Sequence, residues 1–219
     1  MSPLPILHAH PFSSYSWKVL IALYENGTPF EFRLIEDPPS WAELEQLWTI
    51  KLMPVLIDGD RTMAEASIII EYLAMVHSGP VELIPSDPDL ALQARFFDRV
   101  FDNYVMTPVQ KVVGDRLRPE EDRDPYGVAE ARAKLERAYR WLDTNLPAEG
   151  WAVGEEFTLV ECGAASSLFY ADWTHPIPED CPRVRAYRTR LLARPSVARV
   201  VNEARPYRPY FPLGAPDRD

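Results

Sequence analysis

The chain has 219 residues, with 23 Lys and Arg against 33 Asp and Glu and a formal net charge of −10. That length holds one domain or two small ones. The acidic balance excludes phosphate-backbone binding as the main task, because such binding needs concentrated Lys and Arg. No stretch approaches the roughly 20 apolar residues of a membrane span, and Met1 to Pro5 lacks the basic patch and apolar run of a secretory signal. The two cysteines, Cys162 and Cys181, form no CxxC or zinc-like group, so a soluble, reduced, cytoplasmic protein is expected.

Pro5 to His10 reads as a short extended apolar run, broken by Pro11-Phe12-Ser13. A helix follows over Trp17 to Asn26, where Val19, Leu20 and Leu23 recur at helical spacing and Asn26-Gly27 supplies the stop. Phe30 to Ile35 alternates apolar and charged residues as a half-buried strand does. Ser40 reads as the cap of a helix through Trp41, Leu44 and Leu47, with Glu43 completing a capping box. Met53 to Ile57, the turn Asp58-Gly59-Asp60 and Arg61 to Met63 form a hairpin pattern. Ser67 to His77 then shows two apolar helix faces, one of Ile69, Leu73 and Val76, the other of Ile68, Tyr72 and Met75. Two such faces imply two packing partners.

Gly79-Pro80 and Pro85-Ser86-Asp87-Pro88 punctuate the chain, and only helical patterns follow. These cover Asp89 to Leu117, with a kink expected at Pro108, then Tyr126 to Leu146, Thr158 to Trp173, Pro182 to Ala193 and Ser196 to Ala204. The change from mixed to all-helical patterning predicts two domains, 1–79 and 89–219, joined by a linker over 80–88. The second carries an extended tail in which Tyr207, Tyr210 and Phe211 fold back over the domain junction.

Two segments about forty residues apart carry the chemistry. Ser13, Ser14 and Tyr15 bring hydroxyls to a helix start, while Met53-Pro54-Val55-Leu56 and Glu65-Ala66-Ser67 offer extended backbone and a carboxylate able to hold a small peptide. Together they point to a thiol-handling site. His8 and His10 share one face of a strand, but no third Cys, His or carboxylate completes a metal set, so no metal is expected. There is no G-x-S-x-G, no G-x-G-x-x-G and no P-loop.

These residues resemble the cytosolic glutathione S-transferase family over nearly the whole chain. Lys18 to Gly27 is similar to the family's first helix, Ser67 to Leu73 to its third, and Phe157 to Cys162 to its capping box, with Glu161 where Asp is more usual. The serine-type, zeta- and tau-like pattern, in a bacterial-type member, places the activating hydroxyl five residues before Lys18, at Ser13, with Ser14 and Tyr15 as backups. The resemblance implies a thioredoxin-like domain followed by a helical domain, glutathione as co-substrate, and a homodimer. It further implies a cis bond before Pro54, leaving Val55 to bind the cysteinyl part of glutathione. Glu65 and Ser67 would meet the γ-glutamyl end and Lys51 the glycine carboxylate, beside Met53. Where the family commonly has Glu-Ser, this chain has Glu65-Ala66, which keeps the N–H and loses the hydroxyl. For the second, apolar substrate the resemblance points to His10, Phe101, Tyr104, Val105 and Tyr170, although aromatic residues at helical spacing also serve as core.

One serine suffices for the chemistry. An unperturbed cysteine thiol titrates near 8.5, and ionising it at neutral pH asks for roughly 2.7 kcal/mol. A charge-assisted hydrogen bond contributes about 1.5–3 kcal/mol and a helix N-terminus about 0.3–1 more. Conjugation, isomerisation and dehalogenation all use that thiolate. A reductase or peroxidase, which wants a cysteine at the helix start, and a non-catalytic interaction protein remain the alternatives.

Overall fold

A computed structural model of the chain describes residues 3–219; Met1 and Ser2, in the segment read for a signal, lie outside the described residues. The first part runs β1 (Ile6–Ala9), α1 (Ser14–Glu25), β2 (Glu31–Leu34), α2 (Pro38–Leu47), β3 (Val55–Asp58), β4 (Arg61–Ala64) and α3 (Ala66–Val76). Its sheet has the order β2-β1-β3-β4, with β1 parallel to β2 and antiparallel to β3, and β3 antiparallel to β4. The parallel pair requires a crossover, which α1 supplies. Helices α1 and α3 cover one sheet face through Leu20, Leu23, Ile69 and Leu73 against Leu7 and Leu56, while α2 covers the other with Leu44 against Val55 and Ile35. This is the expected thioredoxin-like layer.

The second part is helical: α4 (Pro88–Val100), α5 (Thr107–Arg116), α6 (Pro125–Asn145), α7 (Leu159–Thr174), α8 (Pro182–Ala193) and α9 (Pro195–Ala204). Every residue of α7 is buried, so this helix is the axis of the domain and also packs on α1. Its start is the expected capping box. Thr158 accepts from the Val160 N–H, and Glu161 accepts from the Thr158 N–H at 2.8 Å.

Four local expectations change. The cap of α2 is Asp37 rather than Ser40: Ser40 is its reciprocal partner, donating its N–H to Asp37 Oδ1 at 3.0 Å, and Glu43 takes no part. The two prolines, Pro38 and Pro39, sit in the first turn, where no intrahelical N–H is needed, and so start the helix earlier than the apolar pattern suggests. Strand β2 is an edge with all four side chains exposed rather than a half-buried strand. The long helix does not merely kink at Pro108. It opens into a π-helical turn over Phe101–Met106, where Thr107 Oγ1 donates to the Asp102 carbonyl, because the proline ring removes a donor and crowds the preceding turn. Finally, Tyr72 leaves the second face of α3: it is buried and its hydroxyl donates to Asp58, while Ile68 and Met75 stay exposed.

Candidate functional site

Three chain reversals meet at one edge of the sheet. Because His8 pairs with Val55 and Val55 with Ala64, the end of β1, the start of β3 and the end of β4 lie side by side. From those ends depart the loop to Ser13, the cis Met53–Pro54 bond, and Glu65 at the start of α3. The register thus gathers the two segments singled out in the sequence.

Ser13 is the half-buried N-cap of α1, and its Oγ accepts from the Ser16 N–H at 3.3 Å. A hydroxyl has one proton and two lone pairs, so capping leaves its O–H free to donate to an anion at the same helix start. Ser14 occupies the first helical position beside it. Tyr15 is half-buried; desolvation, with Asp102 and Glu65 nearby, pushes its phenol up to about 12, so it stays a neutral donor. His10 Nδ1 accepts from the Phe12 N–H at 3.0 Å, and its ring meets Tyr207 edge-on at 4.5 Å. Burial holds its imidazole below the usual range, against a smaller opposing pull from Glu36.

On the peptide-binding side, Glu65 sits at φ +68° with no side-chain cap bond, and Ala66 is buried at the first position of α3. Lys51 also has a positive φ, of 58°, and pairs with Glu45 on α2 at 2.8 Å. Ser67, expected to help at the γ-glutamyl end, is drawn instead into a charged cluster across the domain seam. Lys18, only 1% exposed, donates to Asp98 Oδ1 at 2.7 Å, to Asp102 Oδ2 at 2.9 Å and to Ser67 Oγ at 3.0 Å. Ser67 donates to Asp98 Oδ2 at 2.7 Å, and Arg99 Nη2 donates to Ser67 Oγ at 2.7 Å and to both carboxylates. Burial alone would raise the Asp98 carboxyl, but Lys18, Arg99 and Ser67 together hold it below the usual range. Burial and the neighbouring Asp98 hold Asp102 above it, against the pull of Lys18.

Sequence reasoning missed Asp98, Arg99 and Asp102. Their only local signal is acidic residues at an i, i+4 step on a helix otherwise facing the core with Phe97 and Phe101.

The residues proposed for the second substrate separate. Phe101 and Val105 are fully buried core, which removes them as pocket lining, and Tyr170 is buried with its hydroxyl donating to the Phe12 carbonyl at 2.9 Å. Tyr104 is 61% exposed and faces a groove of about 1000 Å³ between α4–α5 and α6, walled by Phe96, Pro108 and Trp141. None of Ser13, Pro54 and Glu65 lines that groove. The loop over 10–13 is backed instead by the tail: Phe211 packs on Phe12 and Trp173, while Tyr210 stays exposed.

The fold is that of a thioredoxin-like protein with a helical second domain. Residues 7–81 match the model of the glutathione S-transferase N-terminal domain, and residues 125–190 that of its C-terminal domain. A solved glutathione S-transferase from Methylobacterium radiotolerans, in complex with glutathione sulfonate, is 30% identical, with a TM-score of 0.79 over 90% of this chain and 94% of that one. A glutathione S-transferase from Methylobacillus flagellatus shares the fold, with a TM-score of 0.81 at 24% identity over 90% and 98% of the two chains. Glutathione S-transferase 3 of Glycine max is 26% identical over 88% of this chain and 87% of its own length. The chain belongs to the glutathione S-transferase family.

Proposed function

We propose that the chain is a glutathione transferase in which Ser13 donates a hydrogen bond to the glutathione thiolate, which then attacks an apolar electrophile. The observation that carries this is the capped helix start: Ser13 uses a lone pair on the Ser16 N–H and keeps its proton for an anion. No cysteine stands there to run a reductase cycle. Tyr15, a neutral phenol, and Ser14 are the neighbouring donors. The Val55 backbone after the cis bond takes the cysteinyl part beside Met53, Glu65 takes the ammonium, and the Ala66 N–H takes the α-carboxylate. Lys51 serves the glycine carboxylate by exchanging Glu45, a surface pair of small worth, for the ligand. The electrophile docks beside His10, Phe12 and Tyr207, with Tyr170 holding the loop from behind.

The protein is cytoplasmic in this reading, and it is a homodimer through the exposed apolar side chains of α3 and α4, Ile68, Met75, Leu92 and Phe96. Among the described residues no helix is long and apolar enough to cross a membrane, and no cluster of three His, Cys, Asp or Glu could hold a metal ion.

Titration calorimetry with glutathione tests the core of the proposal, with saturable heat expected. Ser13→Ala should keep binding and lose about 10- to 100-fold in turnover of a chromogenic electrophile, the equivalent of one charge-assisted hydrogen bond. No heat up to millimolar ligand would overturn the function; full activity in Ser13→Ala with an inactive Ser14→Ala would move the role by one residue.

A further inference from the structure

We infer that Arg99, reaching from α4 across the domain seam, is the cation that binds the α-carboxylate at the γ-glutamyl end of glutathione, in place of the hydroxyl that Ala66 lacks. This rests on the glutathione reading above. Ala66 is one residue from Ser67, and Arg99 Nη2 lies 2.7 Å from the Ser67 oxygen, so the guanidinium stands at the first turn of α3. Half of the Arg99 side chain is exposed, whereas Lys18 is sealed between the domains. Nε and Nη2 are held by Asp98, Asp102 and Ser67, and among the described residues Nη1 has no hydrogen-bond partner.

Charge explains why the cation belongs there. The cluster sets two carboxylates, Asp98 and Asp102, against the single ammonium of Lys18. Without Arg99 it would carry a net negative charge next to Glu65 and repel a third carboxylate. With Arg99 the cluster is neutral and presents the N–H groups of Nη1, on a guanidinium fixed by its other bonds, to a carboxylate. The free N–H groups at the start of α3 add their partial positive charge on the other side. The hydroxyl missing from α3 is thus replaced from the opposite domain.

The test compares glutathione with its analogue lacking the α-carboxylate, γ-aminobutyryl-cysteinyl-glycine, by calorimetry on the whole protein. Arg99→Gln should weaken glutathione about 10- to 100-fold while leaving the analogue within about twofold. Adding Ala66→Ser to Arg99→Gln should restore part of the loss for glutathione only. Equal losses for both ligands would mark Arg99 as a purely structural seam residue and overturn the assignment, as would unchanged glutathione binding. Arg99→Lys keeps the balancing charge should Arg99→Gln fold poorly: it should lie between parent and Arg99→Gln for glutathione, and parent-like affinity would overturn the Nη1 contact. If the parent binds neither ligand, the glutathione reading itself fails and the Arg99 assignment with it.

Discussion

The buried ammonium of Lys18 is the residue on which the seam depends. An ion pair out of water offers little net stability while intact, yet removing one partner strands the others. Lys18→Met leaves Asp98 and Asp102 facing each other with only the half-exposed Arg99, so a loss of about 3–5 kcal/mol in unfolding free energy is expected from urea denaturation. The two carboxylates also respond oppositely to pH. Asp98 is held below its ordinary value, so its contribution is complete above about pH 4 and is lost as the pH falls through its folded-state value. Asp102 is held above, so its contribution is greatest in acid and is lost as the pH rises through its folded-state value. Asp98→Asn should therefore be less stable than the parent at pH 7 and decline less between pH 4 and 3. Urea midpoints across that range check it, and parallel declines in the two proteins would refute the assignment.

At the scale of elements, the start of α7 concentrates several bonds in one turn. Glu161 is fully buried and accepts from the Thr158 N–H and hydroxyl, the Ala152 N–H and the Tyr187 hydroxyl. Thr158→Ala removes the cap oxygen for the Val160 N–H, and a cost of about 0.5–2 kcal/mol in thermal or urea unfolding is expected. An unchanged midpoint would show that water replaces the cap. This capping box was readable from Phe157 to Cys162 because its partners are three residues apart, and the helices that follow were readable from apolar spacing. The start of α2 was not, since two prolines hid a helix whose cap precedes them. The π-helical turn escaped for a related reason: the sequence names Pro108 as the disturbance but not the turn before it as the place where the backbone yields. In the candidate site the local geometry was legible: the helix start at Ser13, the cis bond before Pro54 and Glu65 at the start of α3. Asp98 and Arg99 were illegible because they meet Ser67 only across separations of 31 and 32 residues.

At the scale of the whole molecule, α3 and α4 leave large apolar side chains exposed near their Arg95–Glu71 contact. Ile68 and Met75 on α3 and Leu92 and Phe96 on α4 are all exposed, and Arg95 on α4 pairs with Glu71 on α3 beside them. A second copy covering that side predicts a dimer by sedimentation. Met75→Glu combined with Phe96→Glu should sediment as a monomer, since a charge directed into an apolar interface has no partner there. A monomeric parent would refute the interface.

Helix α1 is gripped along its length by the other domain. Tyr170 holds the Phe12 carbonyl ahead of it, Trp17 packs on Phe169 and Tyr170, Lys18 enters the seam, and Glu25 at its end binds Arg194 and Ser196. By sequence the helix belongs to the sheet; by packing it belongs equally to the bundle. Helix α1 therefore ties the two halves together, and in the proposed reaction any closure over a bound thiol comes from parts not gripped in this way. One is α2, which fully buries Leu44 alone, and the other is the turn over Arg205–Tyr210, of which no residue is fully buried. In the proposed reaction the serine at the head of α1 is accordingly the stationary partner.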